Sequence, residues 1–461
     1  YGEEYSFITT PLFSGSGTEA VPYQVSNLDE LRFLSEHSVY WDSYFIQTAN
    51  IDATDTQNWN SGAGFAPIGN SSNYFSGDYD GQGYSIDGLF INRPSSDNVG
   101  LFGSIDSADI YDLGLTSVNI TGDEYVGALV GDNSESSVNN CSSTGSVSGE
   151  VSIGGLVGST YYSSVNYSYS TGNVNGNEYV GGLVGENDNS PISDCYSTGS
   201  VDGGNCTGGL VGYNQDSSPI SNSYSTGNVS GDLYVGGLVG DTFQDCSVTN
   251  CFSTGNVDGN EFIAGLLGVN ESGCTIVNCF STGNVSGDAD LGGLVSINYG
   301  TVTASFWDTE TSGQSTSAGG SGKTTSEMIT QSTFTDVSWD FVYETANGTV
   351  DIWTMNGFDN LGYPFFTGNN LAPVLVTTIA SSITGHTASS GGEILDSGQT
   401  AITTRGVCWS TSANPTLLDN FTENGTGSGT FISDLTNLSS STTYYYRAYA
   451  TNSIGTGYGD E

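Results

Sequence analysis

The chain has 461 residues, with 50 Asp and Glu against 5 Lys and Arg and a formal net charge of -45. A surface of that sign repels phosphate backbones and anionic lipid, which argues against nucleic-acid partners and suits high salt or a solubilising coat on an extracellular protein. The 66 Gly, with abundant Ser, Thr and Asn, point to strands and turns rather than helices, and no run reaches the roughly 18 apolar residues of a membrane helix, so no membrane insertion is expected.

The chain opens "YGEEYSFITT", in which Tyr5, Phe7 and Thr9 alternate with Ser6, Ile8 and Thr10 as in a strand. Residues 1–20 lack the basic start and apolar stretch of a secretory leader, so an export signal is expected to have been removed, or the chain to be a piece of something longer. "NLDELRFLSE", residues 27–36, reads as a helix with Asn27 as N-cap, Asp29 and Glu30 in its first turn and Leu28, Leu31 and Leu34 on one face. "FSGDYDGQGYSIDGLFI", residues 75–91, reads as the opening coil of the array that follows.

From there the text repeats. "YVGGLVG" occurs at 179 and 234, and the Thr of the STG triplet returns at Thr144, Thr171, Thr198, Thr226, Thr254 and Thr282, in steps of 27, 27, 28, 28 and 28 residues. Gly131, Gly158, Gly185, Gly212, Gly240 and Gly268 keep nearly the same step. Short apolar pieces separated by Gly, Asn, Asp and Ser break helices and make turns, so three short strands per unit fit one coil of a parallel β-helix, with a rung spacing of about 4.8 Å. Sequence columns then become ladders. Val138, Val165, Ile192, Ile220, Val248 and Ile276 form one, and Leu129, Leu156, Leu183, Leu210, Leu238 and Leu266 another. The aromatic column Tyr169, Tyr196, Tyr224, Phe252 and Phe280 shares strand parity with the first, which places all three inside the coil unless the intervening Asn or Asp bends the strand.

The GGLVG and C/S-Y/F-S-T-G pattern resembles the GLUG motif of bacterial adhesins and immunoglobulin A peptidases, over roughly residues 97–300. The resemblance implies a surface-exposed β-solenoid. It does not imply the peptidase, whose H-E-x-x-H zinc motif is absent from this sequence. "SFWDTETSGQSTSAGGSGKTTSEM" and "YPFF" look like the closing segment of such arrays. Residues 372–461, with "RGVCWSTSANPT" and "LTNLSSSTTYYYRAYATN", resemble the fibronectin type III-like modules of Bacteroidetes-type surface proteins, which are seven-stranded sandwiches. That family continues past "YGDE" into one more strand, and Tyr1, Gly2, Glu3 and Glu4 echo Tyr458, Gly459, Asp460 and Glu461. Tyr5, Ser6, Phe7, Ile8, Thr9 and Thr10 are therefore the expected assembly strand, completing the sandwich of a neighbouring copy or of a preceding repeat.

The expected fold is all-β, a parallel β-helix followed by a fibronectin type III-like sandwich. Its parts are a terminal strand at 1–10, an N-terminal cap with one short helix at 11–75, the GLUG solenoid at 76–311, its closing cap at 312–371, and a sandwich lacking its last strand at 372–461.

Catalytic vocabulary is sparse. "SAGGSGKTT" lacks the first glycine of a phosphate loop, with Ser317 in its place, so Lys323 reads as a cap residue. Cys141, Cys195, Cys251 and Cys279 share a column with Ser168 and Ser223, which marks a structural position rather than a zinc site. Cys246 with Cys274, and Cys251 with Cys279, lie in adjacent coils within disulfide reach, against the alternative of buried thiols; Cys206 and Cys408 have no evident partner. Asp78, Asp80 and Asp87 around Gly81 and Gly83 suit Asp-Gly turns, with calcium the weaker alternative. The scarcity of bases, only His37, His386, Lys323 and four Arg, disfavours a polysaccharide lyase, and no carboxylate pair can be singled out for a glycosidase.

No enzyme, cofactor, or catalytic or metal-binding residue is therefore expected. The expected function is an extracellular structural or adhesive surface protein, a repeating unit of a filament or long tandem array joined head to tail by β-strand addition. Its expected partners are copies of itself, with glycans and cell-surface ligands as further candidates. The alternative is a secreted β-helix that binds or degrades polysaccharide.

Overall fold

The computed structural model describes residues 13–342, 347–348, 351–355, 359–367, 373–397, 402–412, 415–417, 419–436, 438–452, 456–459 and 461. The chain divides into two units, residues 1–325 and 326–461.

The first unit is a parallel β-solenoid whose coils contribute to three sheets of 11, 21 and 8 strands, called here sheets 1, 2 and 3. The rungs pair parallel and in register: Val165 faces Ile192 and Ile220 faces Val248 in sheet 1, Tyr196 faces Tyr224 in sheet 2, and Val184 faces Val211 in sheet 3. The STG threonines follow one another through the same bond in each coil. The amides of Thr198, Thr226, Thr254 and Thr282 donate to Ser170, Ser197, Ser225 and Ser253 carbonyls, each at 3.0 Å. The ladder reaches further toward the N-terminus than residue 76, because Tyr23–Val25 pairs with Tyr44–Gln47, which pairs with Asp78–Asp80.

A single apolar core runs from Phe13 to Trp307. The Val/Ile column of sheet 1 and the leucines of the GGL turn are its floor and corner, every one fully buried. At that turn the glycines are required by space: a Cβ on Gly155 would lie 2.2 Å from the Gly182 carbonyl oxygen and 2.3 Å from Ser170 Oγ of neighbouring coils.

The aromatic column is the correction. Tyr169, Tyr196, Tyr224, Phe252 and Phe280 do stack, with ring centroids 4.6, 5.0, 4.8 and 5.0 Å apart, but they do not belong to the apolar cluster inside the coil: Tyr169 and Tyr196 are half-buried, and Tyr224, Phe252 and Phe280 are buried outside that cluster. The residue that flips them is the one between: Tyr167, Asp194, Asn222, Asn250 and Asn278 all have φ between +50° and +56°. A left-handed residue breaks the two-residue parity of the strand, so Ser168, Cys195, Ser223, Cys251 and Cys279 turn inward and the next residue turns out. The column Ser170, Ser197, Ser225, Ser253 and Ser281 then faces in, where Ser281 Oγ donates to the Gly293 carbonyl at 2.8 Å.

The N-terminal end carries the helix Leu28–Glu36 (α1). Asn27 Oδ1 accepts from the Glu30 amide at 3.0 Å, and Glu30 Oε2 accepts in return from the Ser26 amide at 2.6 Å, so two otherwise orphaned donors are satisfied. Leu31 and Leu34 are buried, and Phe13, Tyr23, Phe33, Tyr40 and Phe45 pack ring to ring beside them, with centroids 5.4 to 5.8 Å apart.

The second unit contains an aromatic cluster and two small antiparallel sheets. Trp353–Thr354 pairs with Phe365–Phe366, and Trp339, Trp353 and Phe366 stack at 4.6 and 4.5 Å. One sheet joins Val374–Ser381, Ala388–Asp396 and Gly429–Leu435. The other joins Asn420–Phe421, Thr404–Ser410, Tyr445–Thr451 and Thr456–Tyr458. Leu375, Ile394, Val407, Trp409, Phe431 and Ala448 fill the core of these strands.

Candidate functional site

Tyr5, Ser6, Phe7, Ile8, Thr9 and Thr10 lie outside the described residues. The edge they were expected to extend is described. Tyr445–Thr451 is paired along its whole length with Thr404–Ser410 on one side. On the other side Thr456–Tyr458 pairs with Tyr449–Thr451 and Gly459 N donates to the Ala448 carbonyl at 2.9 Å, while Val374–Ser381 runs alongside, with Ala448 N donating to Thr377 Oγ1 at 3.0 Å and Ala380 N to Tyr446 Oη at 2.8 Å.

The remaining sequence candidates have structural partners. Asp80 Oδ1 accepts from the Gln82 amide at 2.8 Å, closing a turn, Asp87 Oδ1 accepts from Thr116 Oγ1 at 2.7 Å, and Asp78 Oδ1 accepts from the Asp109 amide at 3.2 Å. Among the described residues no group of three or more His, Cys, Asp and Glu is arranged to hold a metal ion. Ser321–Lys323 is a strand paired with Phe306–Asp308, so the backbone of the "GSGK" stretch runs as a further rung rather than as a phosphate cradle, and the Lys323 ammonium lies 5.6 Å from the centroid of Phe306. All eight cysteines are buried free thiols. Their column acts as a polar spine: Cys195 N donates to Ser223 Oγ at 3.1 Å, Cys251 N to Cys279 Sγ at 3.4 Å, and Cys279 N to Ser305 Oγ at 3.1 Å.

Sequence reasoning missed two ladders. The first is interior: Thr160 Oγ1 donates to Asn187 Oδ1 and Asn187 Nδ2 to Asn214 Oδ1, both at 2.6 Å, and Asn270 Nδ2 donates to Asn298 Oδ1 at 2.7 Å. The recurrent Asn or Thr two residues after the second glycine anchor was the available signal.

The second is an outer corner where sheets 2 and 3 meet. Tyr125, Ser152, Tyr179, Cys206, Tyr234 and Phe262 form a column in sheet 2, all with φ between +52° and +59°. Against it runs the sheet 3 column Asp132, Ser159, Glu186, Tyr213, Asp241 and Val269. The anchor glycines bring the columns together: a Cβ on Gly185 would fall 2.5 Å from Ser152 C, and one on Gly212 2.5 Å from Tyr179 C. Side chains meet accordingly. Ser152 Oγ donates to Glu186 Oε2 at 3.0 Å, the Tyr179 and Tyr213 rings stack at 5.0 Å, and the Tyr234 and Phe262 rings at 5.3 Å. Gln215 Nε2 donates to Glu186 Oε1 at 3.0 Å.

No cation serves this corner; the ion pair found among the described residues is Arg32 with Glu36, on the distant α1. Burial pushes the Asp241 carboxyl up to about 7, helped by the charge of Glu271, and the Asp132 carboxyl up to about 6, helped by Asp106. Burial also raises Glu186, which its bond from Ser152 partly offsets, and lifts the Tyr179 phenol to about 12. Asp241 Oδ1 is buried without a hydrogen-bond partner.

Residues 176–202, 203–230 and 231–258 match the family model of the GLUG motif, three consecutive coils of the solenoid. The chain is 35% identical over 153 residues to halomucin of Haloquadratum walsbyi, covering 32% of this chain and 2% of that protein. It is 37% identical over 127 residues to a putative Gly-rich membrane protein of Evansella cellulosilytica, covering 26% of this chain and 14% of that protein. The chain thus spans a small part of the curated relatives it matches. Among solved structures, an IgA1 protease is similar over 61% of this chain and 21% of its own, at a TM-score of 0.39 and 19% identity, a likeness too low to carry fold or function across. No helix of the described residues is long and apolar enough to cross a membrane. What the sequence and the structure share is a parallel β-solenoid built on GLUG repeats.

Proposed function

We propose that this chain is a structural or adhesive unit of an extracellular cell-surface protein, without catalytic activity of its own, and that units follow one another in a long array. The observation that carries this reading is the in-register stacking of near-identical coils under a net charge of -45, which makes a stiff, strongly hydrated rod. The names of the two relatives, a halomucin and a Gly-rich membrane protein, support a cell-surface setting, and the 2% share of halomucin that is matched supports membership of a much longer chain.

The C-terminal strands are read as a fibronectin type III-like module. Three- and four-stranded antiparallel sheets around a shared core support it. A further strand, Tyr5–Thr10 of a neighbouring copy or its equivalent in the same polypeptide, is read as adding on beside Thr456–Tyr458, the short last strand of this sheet. Such a contact is heterologous and propagates linearly.

Protease treatment of intact cells tests the location: the protein is expected to be trimmed from the surface while cytoplasmic markers survive, and resistance until lysis would overturn the reading. Denaturing gels and particle imaging separate the two arrays. A covalent array stays one very long polypeptide in denaturant, whereas a filament of separate copies falls to single subunits and fails to form when residues 1–10 are deleted.

A further inference from the structure

We propose that Cys246 and Cys274 are a redox-active dithiol that closes to a disulfide across two adjacent coils, while Cys251 and Cys279 of the same coils stay reduced. The inference does not depend on where the protein resides or on how units are joined.

Register brings both pairs together. Ser247 faces Thr275 and Val248 faces Ile276 in sheet 1, and the Thr275 amide donates to the Cys246 carbonyl at 2.9 Å, so Cys246 and Cys274 enter these strands side by side. Cys251 and Cys279 follow the same strands, directly before the facing residues Phe252 and Phe280. One rung is about 4.8 Å, inside the Cα span of about 4.4–6.8 Å that a disulfide bridges. Distance alone would allow either pair to close. The first column does not need sulfur, because its earlier places are Ser136, Ser163, Ser190 and Ser218. The hydroxyl oxygens of the last three each accept the amide of the preceding serine, at 3.0, 2.9 and 3.0 Å.

Chemistry separates the pairs. Cys251 and Cys279 belong to the apolar core, where burial and then the Cys279 thiol hold Cys251 far above the ordinary thiol range. Cys251 therefore supplies no thiolate to start an exchange, and Cys279 Sγ accepts the Cys251 amide at 3.4 Å. Cys246 and Cys274 stand outside that core, immediately after the exposed residues Gln244 and Asp245 in one coil and Ser272 and Gly273 in the next. They are buried only once these turns have wound, so an oxidant reaches them while the chain folds. Each is the other's hydrogen-bond partner, and that bond pulls Cys274 below the ordinary thiol range, against burial and the charge of Asp245, while it pushes Cys246 up. A thiolate beside a thiol is the arrangement of a dithiol that exchanges with disulfides. The Cys274 thiolate attacks one sulfur of a small disulfide such as oxidised glutathione and expels the other half as a thiolate. Cys246 gives its proton to that thiolate, and its sulfur then displaces the second half from Cys274. Two electrons have passed from the cysteine pair to the small disulfide, which leaves as two reduced molecules. The bridge ties one coil to the next across a step of 28 residues.

Refolding the reduced full chain from urea in glutathione buffers of rising oxidised share tests the proposal, read by acid quenching, alkylation and mass mapping of peptic peptides. In oxidised buffer two of the eight thiols should escape alkylation, within a peptide bridged between Cys246 and Cys274, whereas all eight are alkylated after refolding in dithiothreitol. The bridged form should melt about 5 °C higher than the reduced one. Cys246→Ser matches the column neighbour Ser218; it should fold and form no internal bridge at any glutathione ratio. Cys251→Ser matches Ser223 and should still close the first pair. Eight alkylated thiols in every buffer, a bridge between Cys251 and Cys279, or glutathione left on Cys274 of the parent chain without closure would overturn the proposal.

Discussion

Asn187 and Asn214 face each other one coil apart inside the solenoid, the amide of Asn187 donating to the Asn214 carbonyl oxygen at 2.6 Å and to the Ser190 backbone carbonyl at 2.9 Å. Both side chains are fully buried, so no water replaces what either loses. Asn187→Ala strips partners from Thr160, Asn214 and Ser190 together and should cost about 2–4 kcal/mol in denaturant unfolding, more than an average single hydrogen bond. A loss below about 0.5 kcal/mol would show the ladder to be dispensable.

The anchor glycines make a steric prediction. Gly212→Ala places a methyl 2.5 Å from both Tyr179 C and Val180 N, which are backbone atoms and cannot swing aside. The coils must separate locally, and a destabilisation of about 1–3 kcal/mol is expected by thermal melting. Gly62→Ala is the control with free space around its Cβ, leaving only its positive φ of +91° to oppose the change.

Acidification should stabilise this protein over the range where most acidic proteins begin to lose stability. Asp241 and Asp132 have folded values of about 7 and about 6 against an ordinary 3.8, because burial disfavours their charged forms. The folded state therefore holds protons that the unfolded state has released. Their contribution is fully present below about pH 4 and is lost as the pH rises through 6 and 7. Melting temperature should rise from pH 8 to pH 5, and Asp241→Asn should flatten that slope. A slope unchanged in the variant would assign the effect to other carboxyls.

Ionic strength should act in the same direction at neutral pH. With 50 acidic residues and 5 basic ones, self-repulsion is screened as the Debye length falls from about 10 Å at 0.1 M to about 3 Å at 1 M. Melting temperature is expected to climb steadily with sodium chloride, and a flat response would mean that the charges are too far apart to matter.

The cysteines should behave as small buried polar groups. Cys195→Ser matches its column neighbours Ser168 and Ser223 and should shift stability by less than about 1 kcal/mol. Thiol titration should find eight reactive groups after unfolding and almost none before it. Fewer than eight in denaturant without reductant would reveal disulfides, with Cys246 and Cys274 the first pair to examine.

The solenoid was legible because a fixed step of 27 to 28 residues leaves few architectures open, and the Val/Ile and Leu columns fall on the inside by simple parity. The side of the aromatic column was not legible. It depends on one left-handed residue per coil, and that position holds Asn222, Asn250 and Asn278, which favour the conformation, but also Tyr167, which does not. The outer corner was hidden for a related reason: Tyr179 and Glu186 are seven residues apart in one coil, yet the columns they belong to meet between coils, where Tyr179 stacks on Tyr213 and Glu186 bonds Ser152. Such neighbours appear only when the coil is closed.

The rungs of the solenoid are joined by hydrogen bonds that run along its axis, and each coil holds only its two neighbours. A tether pulled lengthwise therefore loads these interfaces in series, so they yield one at a time rather than together. Each coil that lets go turns a rise of about 4.8 Å into about 90 Å of extended chain, some 28 residues at about 3.3 Å each. The released neighbours keep their register and offer the same template to the returning strand. Under flow or shear, a rod built this way dissipates a sudden load as length and recovers by rewinding, with the anchor glycines and the interior Asn ladder guiding each coil back to its place.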